Sequence, residues 1–142
     1  MKRAIPFLML ISVGCSPKPK QNIIHITLVN NQRSVQFTGL DRSIISDIGR
    51  DTTKGIWENL VPVYRMPVDT DMKSYQPVQH GTYQIKDSLV IFTPDTPFVK
   101  NQVYFTRYYQ FDRGGKTWDM ITGKKPPGPS HYIDLVFKRI VD

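Results

Sequence analysis

The sequence has almost no cysteine. Cys15 is its one thiol, so no disulfide can form within the chain and the fold must be held by its core alone. Long apolar runs are missing as well. The longest, Ala4 to Val13, contains Pro6 and is about ten residues, whereas a spanning helix needs roughly 20. Histidine is scarce: His25, His80 and His131 are the full set, and no two have the spacing of metal ligands. Ser130 directly precedes His131, which is not how a nucleophile and its base are arranged. Gly115-Lys116-Thr117 imitates the end of a phosphate-binding loop, but Gln110 stands where that loop needs its first glycine. Asp69-Thr70-Asp71 offers oxygen ligands without the further carboxylates and distal Glu of a calcium loop, so it reads as a turn with solvated carboxylates. Asp112 and Asp119 bracket another turn and read the same way. No internal repeat is visible. These absences point away from an enzyme, and no cofactor or metal is expected.

The N-terminus carries a processing signal. Met1-Lys2-Arg3 is a positive start, Ala4 to Val13 is an apolar stretch of signal-peptide length, and Gly14 precedes Cys15. Ser12-Val13-Gly14-Cys15 resembles a lipobox, in which the cysteine is acylated and becomes the new N-terminus. Residues 1–14 are therefore expected to be removed. Cys15 is the expected lipidation site, and residues 15–22 form a polar, Pro-rich tether (SPKPKQN after the cysteine). Two or more acyl chains give durable attachment without a spanning helix. Ser16 does not resemble an inner-membrane retention signal, and SPKPK lacks the acidic residues of a surface-export signal. The expected location is the outer membrane, on its periplasmic face.

The remaining part, residues 23–142, suits one self-sufficient domain. Net charge is +7, and removal of Lys2 and Arg3 lowers it to +5. Much of the excess lies between Thr96 and Asp142. A basic excess raises the case for anionic partners such as lipid headgroups, lipopolysaccharide or nucleic acid, although a solvated basic face is the plainer explanation. An exported lipoprotein rarely meets nucleic acid, and none is expected as a partner.

Short segments of strand character follow one another, separated by turn signals. Ile23 to Val29 and Arg33 to Phe37 flank Asn30-Asn31 and predict a hairpin. Asp41 to Gly49 predicts one or two helical turns near residues 42–48, with Ile44, Ile45 and Ile48 on one face. Ile56 to Met66 is expected to contain a strand, with Pro62 marking an edge or a bulge. Tyr83 to Ile85 and Leu89 to Thr93 predict a second hairpin. Val103 to Phe111 and Tyr132 to Val141 predict the last two strands, with an Asp112-to-Gly115 turn and a Gly123-to-Pro129 loop between them. About seven strands with such turns predict an all-β sandwich of the immunoglobulin-like kind. Alternation in the last strand puts Ile133, Leu135 and Phe137 in the core.

Three segments carry a family resemblance. Tyr64-Arg65-Met66-Pro67-Val68-Asp69 resembles the F-S-x-P-V-D segment of bacterial Ig-like domains of the S-layer type. Leu89-Val90-Ile91-Phe92-Thr93-Pro94, with Pro97-Phe98 and Tyr104, is similar to their L-x-F-x-P-x-x-P-L…Y segment. Asp112-Arg113-Gly114-Gly115 resembles their D-x-x-G turn. The likeness runs from about Trp57 to Gly115, and the whole chain resembles small lipoproteins of Bacteroidota-type bacteria. It implies that Phe98 plugs one end of the sandwich and that Tyr104 is a buried corner tyrosine. Plain alternation sets a competing expectation. It places Tyr104, Thr106 and Tyr108 on one face and the more apolar Val103, Phe105, Tyr109 and Phe111 on the other. The spacing from Pro97-Phe98 favours Tyr104 inside.

The functional expectation follows from exposed aromatic and Arg clusters, which mark interfaces. Trp57, Arg107, Tyr108 and Trp118 are the candidate interaction residues. The domain is expected to be a non-enzymatic interaction or assembly module of the cell envelope, meeting another envelope protein. The alternative is a glycan-binding accessory lipoprotein that stacks sugars on its aromatics. The same rings would also serve as core.

Overall fold

The computed structural model describes residues 23–50, 55–110 and 131–140. Among the described residues, seven strands form two antiparallel sheets. In chain order they are β1 (His25–Val29), β2 (Ser34–Thr38), β3 (Val63–Arg65), β4 (Gly81–Lys86), β5 (Leu89–Pro94), β6 (Val103–Gln110) and β7 (His131–Lys138). One sheet has the order β1-β2-β5-β4 and the other β3-β6-β7. This is an all-β sandwich. Among the described residues no helix is long and apolar enough to cross a membrane.

The turns explain where strands stop. Asn30, Asn31 and Gln32 all have positive φ, a conformation that asparagine tolerates best among residues with a side chain. They reverse β1 into β2 with Val29 opposite Ser34. Asp87 and Ser88 both have positive φ between the paired Lys86 and Leu89. That is the backbone of a tight two-residue hairpin, whose twist matches that of the strands. Gly39 has φ +82°, and a Cβ there would lie 2.1 Å from the Ile23 carbonyl oxygen. No other residue fits where β2 turns away past the incoming chain.

Two α-helices sit between β2 and β3. In α1 (Arg42–Arg50), the Asp41 carboxylate accepts from the Ser43 backbone N–H at 2.8 Å, capping the first turn. Ile45 and Ile48 are buried on one face, as the sequence predicts. The segment Ile56 to Met66 does contain a strand, Val63–Arg65, but it is preceded by a second helix, α2 (Ile56–Leu60), that was not foreseen. Ile56 and Leu60 stand one helical turn apart and are both buried, so a helix places both in the core where alternation could not. A 3-10 helix, Thr70–Tyr75, was also not foreseen. The Asp69 side chain accepts from the Asp71 N–H at 3.0 Å and starts it.

The core lies between the sheets. Val35, Phe37, Val90 and Phe92 come from one sheet, and Val63, Tyr104 and Phe137 from the other. Ile45, Ile48, Ile56 and Leu60 join the same cluster. Phe98, in the β5–β6 connection, is buried against Phe92, Tyr104 and Phe137, with ring centroids 6.4, 4.7 and 5.3 Å away. Tyr104 is buried, and its hydroxyl accepts from the Val99 N–H at 2.9 Å. In β7, Phe137 is buried, Leu135 is half-buried, and Ile133 is 45% exposed. The expected face of β7 is therefore right, but it leaves the core before Ile133, which is paired with half-buried Tyr108 beyond the end of the packed interior.

Candidate functional site

Phe105 is as buried as its neighbour Tyr104, although the two point to opposite faces of β6. Tyr104 faces the core, as the spacing from Pro97-Phe98 predicts, and the competing expectation of Phe105 inside with Tyr104 out is overturned. Phe105 is buried all the same because the outer face of the β3-β6-β7 sheet is covered in part. Tyr64 of β3 stacks on Phe105 with centroids 5.1 Å apart, and the Lys73 ammonium from the 3-10 helix lies 5.3 Å from the Phe105 centroid.

Register sets the rest of this face. Antiparallel pairing places Arg107 opposite Asp134, Tyr109 opposite Tyr132, and Phe105 opposite Val136. Arg107 Nε donates to Asp134 Oδ1 at 2.9 Å and its Nη2 donates to Oδ2 at 3.2 Å. Such a two-pronged pair fixes the guanidinium plane as well as its charge. Lys73 Nζ approaches the same carboxylate at 3.6 Å. The guanidinium carbon lies 4.0 Å from the Tyr132 ring centroid, a cation–π contact. Tyr109 meets Tyr132 edge-on at 6.1 Å. The hydrogen bond to Asp134 raises the Arg107 pKa above its ordinary value, outweighing the opposing effect of burial. Burial, and then the neighbouring Tyr109, push the Tyr64 hydroxyl up.

The result is a clamped network with an exposed rim. Arg107 is 8% exposed, whereas Tyr132 is 47% and Val136 54% exposed. Two cations share one carboxylate, and the Tyr132 ring lies over the guanidinium and edge-on to Tyr109. This arrangement presents an amphipathic surface. Among the described residues no three His, Cys, Asp or Glu side chains group to hold a metal. His80 and Glu58 approach at 3.5 Å, between α2 and the start of β4, away from this face.

The residues singled out from the sequence lie apart. Arg107 is in the network. Tyr108, its neighbour on β6, is half-buried against the core on the inner face. Burial, then the Asp41 carboxylate, raise the Tyr108 pKa. Trp57 is on α2, half-buried and stacked on Tyr83 at 6.3 Å and 18°. Tyr83 is tied in turn to the Val61 carbonyl at 3.0 Å. Trp118 and Cys15 lie outside the described residues. Tyr64, Lys73, Tyr132, Asp134 and Val136 were not singled out. Alternation in β7 does carry a signal for Tyr132, Asp134 and Val136, since they are the set opposite Ile133, Leu135 and Phe137. Lys73 leaves no such trace, because it arrives from a separate connection. Comparison with protein-family models, with curated proteins and with solved structures finds no match to this chain.

Proposed function

We propose that the chain is a cell-envelope lipoprotein, anchored through Cys15, whose Ig-like domain is a non-enzymatic interaction module. Its docking face is the outer surface of the β3-β6-β7 sheet. The order β1-β2-β5-β4 against β3-β6-β7 supports the Ig-like reading, because a seven-stranded constant-type Ig domain arranges its strands in that way. So does the Tyr104 hydroxyl bonded to the backbone five residues upstream, in the position of a tyrosine corner. Thr106 then occupies the site of the second Ig cysteine, and its hydroxyl donates to the Pro62 carbonyl at 2.8 Å. The lipobox supports anchoring, and the non-acidic tether supports the periplasmic face of the outer membrane.

The observation that carries the docking face is the exposed pair Tyr132 and Val136, flanking a buried Arg107–Asp134 clamp. Tyrosine and arginine are enriched where proteins bind one another, and a pre-ordered surface loses little entropy on binding. A photo-crosslinking amino acid placed at Val136 of the cellular protein is expected to capture a defined envelope protein. The same probe at Thr27, on the other sheet, is expected to capture none. Equal capture from both positions, or from neither, refutes the docking face. Cys15→Ser is expected to abolish fatty-acid labelling, and retained labelling refutes the anchor. The glycan-binding alternative rests on Trp57 or Trp118 as a stacking platform. Trp118 lies outside the described residues, and the alternative loses ground at Trp57, which is half-buried and already stacked on Tyr83.

A further inference from the structure

The strand registers give the sandwich two unlike poles. At one, the chain comes in at Ile23 and the β4–β5 turn reverses. At the other lie the β1–β2 turn, the β5–β6 connection and the residues that follow β7. These three segments are bonded together. The Ile140 N–H donates to Gln32 Oε1 at 2.7 Å, the Asn101 N–H donates to the Arg139 carbonyl at 2.9 Å, and the Arg139 guanidinium donates to the Phe98 carbonyl.

The composition of this second pole is distinctive. Arg33, Lys100 and Lys138 are exposed, and Arg139 lies between them. Two aliphatic side chains stand among these cations: Val99, 49% exposed, and Ile140, 57% exposed. Within the three segments Asp95 is the one carboxylate among the described residues, on the flank where its N–H donates to the His80 carbonyl at 2.9 Å. Next to the patch, Arg65 donates to Gln102 Oε1 at 2.9 Å and adds a further cation. Asp69, further along that connection, caps the 3-10 helix.

We infer that this basic, aliphatic pole docks on an anionic lipid surface. Lysine and arginine at such a surface meet headgroup phosphates, while aliphatic side chains between them enter the boundary of the acyl chains. A soluble polyanion would use the cations and leave Val99 and Ile140 in water. A protein partner would be met by aromatic anchors, and the exposed tyrosines among the described residues, Tyr75 of the 3-10 helix and Tyr132 of β7, lie outside these three segments. The inference does not depend on the docking face proposed above.

The test uses the chain from position 15 onward carrying Cys15→Ser, so that neither an acyl group nor the apolar residues 4–13 contribute. It is sedimented with phosphatidylglycerol vesicles and with phosphatidylcholine vesicles. Preferential binding to the anionic vesicles is expected. Each exposed cation removed should weaken that binding roughly fivefold, so Lys100→Gln with Lys138→Gln should weaken it roughly 25-fold. Val99→Ser with Ile140→Ser should also weaken it, in a manner that added salt does not reproduce. All four positions are exposed, and unchanged thermal unfolding checks that the variants fold. Equal binding to both vesicle types, or no loss in the lysine variant, overturns the inference. If the aliphatic variant binds as tightly as the parent, the pole is a general anion patch and the lipid assignment fails.

Discussion

Replacing Tyr104 by Phe removes one oxygen atom and leaves the ring. The ring contacts with Phe98 and Phe137, at 4.7 and 5.7 Å, should therefore survive. What is lost is the hydrogen bond from the Val99 N–H at 2.9 Å. An ordinary intramolecular hydrogen bond contributes about 0.5–1.5 kcal/mol. Val99 sits half-exposed on its connection, so water can reach the freed N–H, and the larger penalty for a buried orphan does not apply. The expected loss is thus about 0.5–1.5 kcal/mol, seen as a lower urea midpoint at unchanged slope. In a domain of this size it corresponds to a fall in Tm of roughly 2–8 °C. Trp57, packed on Tyr83, is expected to report unfolding by fluorescence. Tyr104→Ala serves as the contrast, because it also removes the ring and should cost about 3–5 kcal/mol. If Tyr104→Phe matches the parent within about 0.3 kcal/mol, below the range of a net hydrogen bond, the hydroxyl does not hold the β5–β6 connection. The tyrosine-corner reading then fails with it.

Phe137→Ala should cost about 3–5 kcal/mol in denaturant titration, since it opens a cavity against Phe98 and Tyr104; a loss under about 1 kcal/mol would place this face of β7 outside the core. Gly39→Ala should destabilise by more than about 1 kcal/mol, because it meets both a positive φ and the Ile23 carbonyl; an unchanged Tm would refute that close approach. Burial raises the hydroxyl pKa values of Tyr64, Tyr83 and Tyr108 above their ordinary value of 10.0. Groups whose pKa is raised by folding contribute stability that is intact below the unfolded value and lost as pH climbs toward the folded one. Stability should therefore be insensitive to these tyrosines below about pH 10 and fall above it, with part of the tyrosinate absorbance appearing only on unfolding. Full tyrosine ionisation before the loss of circular dichroism would contradict this.

The sheet pattern was legible in the sequence because it rests on local signals. β-branched runs, Asn-Asn and Asp-Ser reversals and the capped isoleucine face of α1 each act within a few residues. What escaped depends on contacts between distant segments. The helix at Ile56–Leu60 was hidden by Pro62, which argued for a sheet edge, although the buried pair Ile56 and Leu60 has helical spacing. Phe105 and Tyr104 looked like rivals because alternation assumes one wet face. Tyr64 and Lys73 remove that assumption by covering Phe105 from outside. The Arg107–Asp134 pair was unreadable for a simpler reason. Strand alternation gives the face of each residue, but the register across β6 and β7 fixes its partner.

The hydrogen bond between Gln32 and Ile140 joins positions 108 residues apart, and β7 supplies Phe137 to the aromatic plug. A folding transition in such a chain is dominated by contacts that are distant in sequence, which places it toward the slow end of the range for single domains, on the order of milliseconds to seconds. The β3-β6-β7 sheet cannot close until β7 is in place, whereas the β1-β2-β5-β4 sheet draws on strands that all precede it.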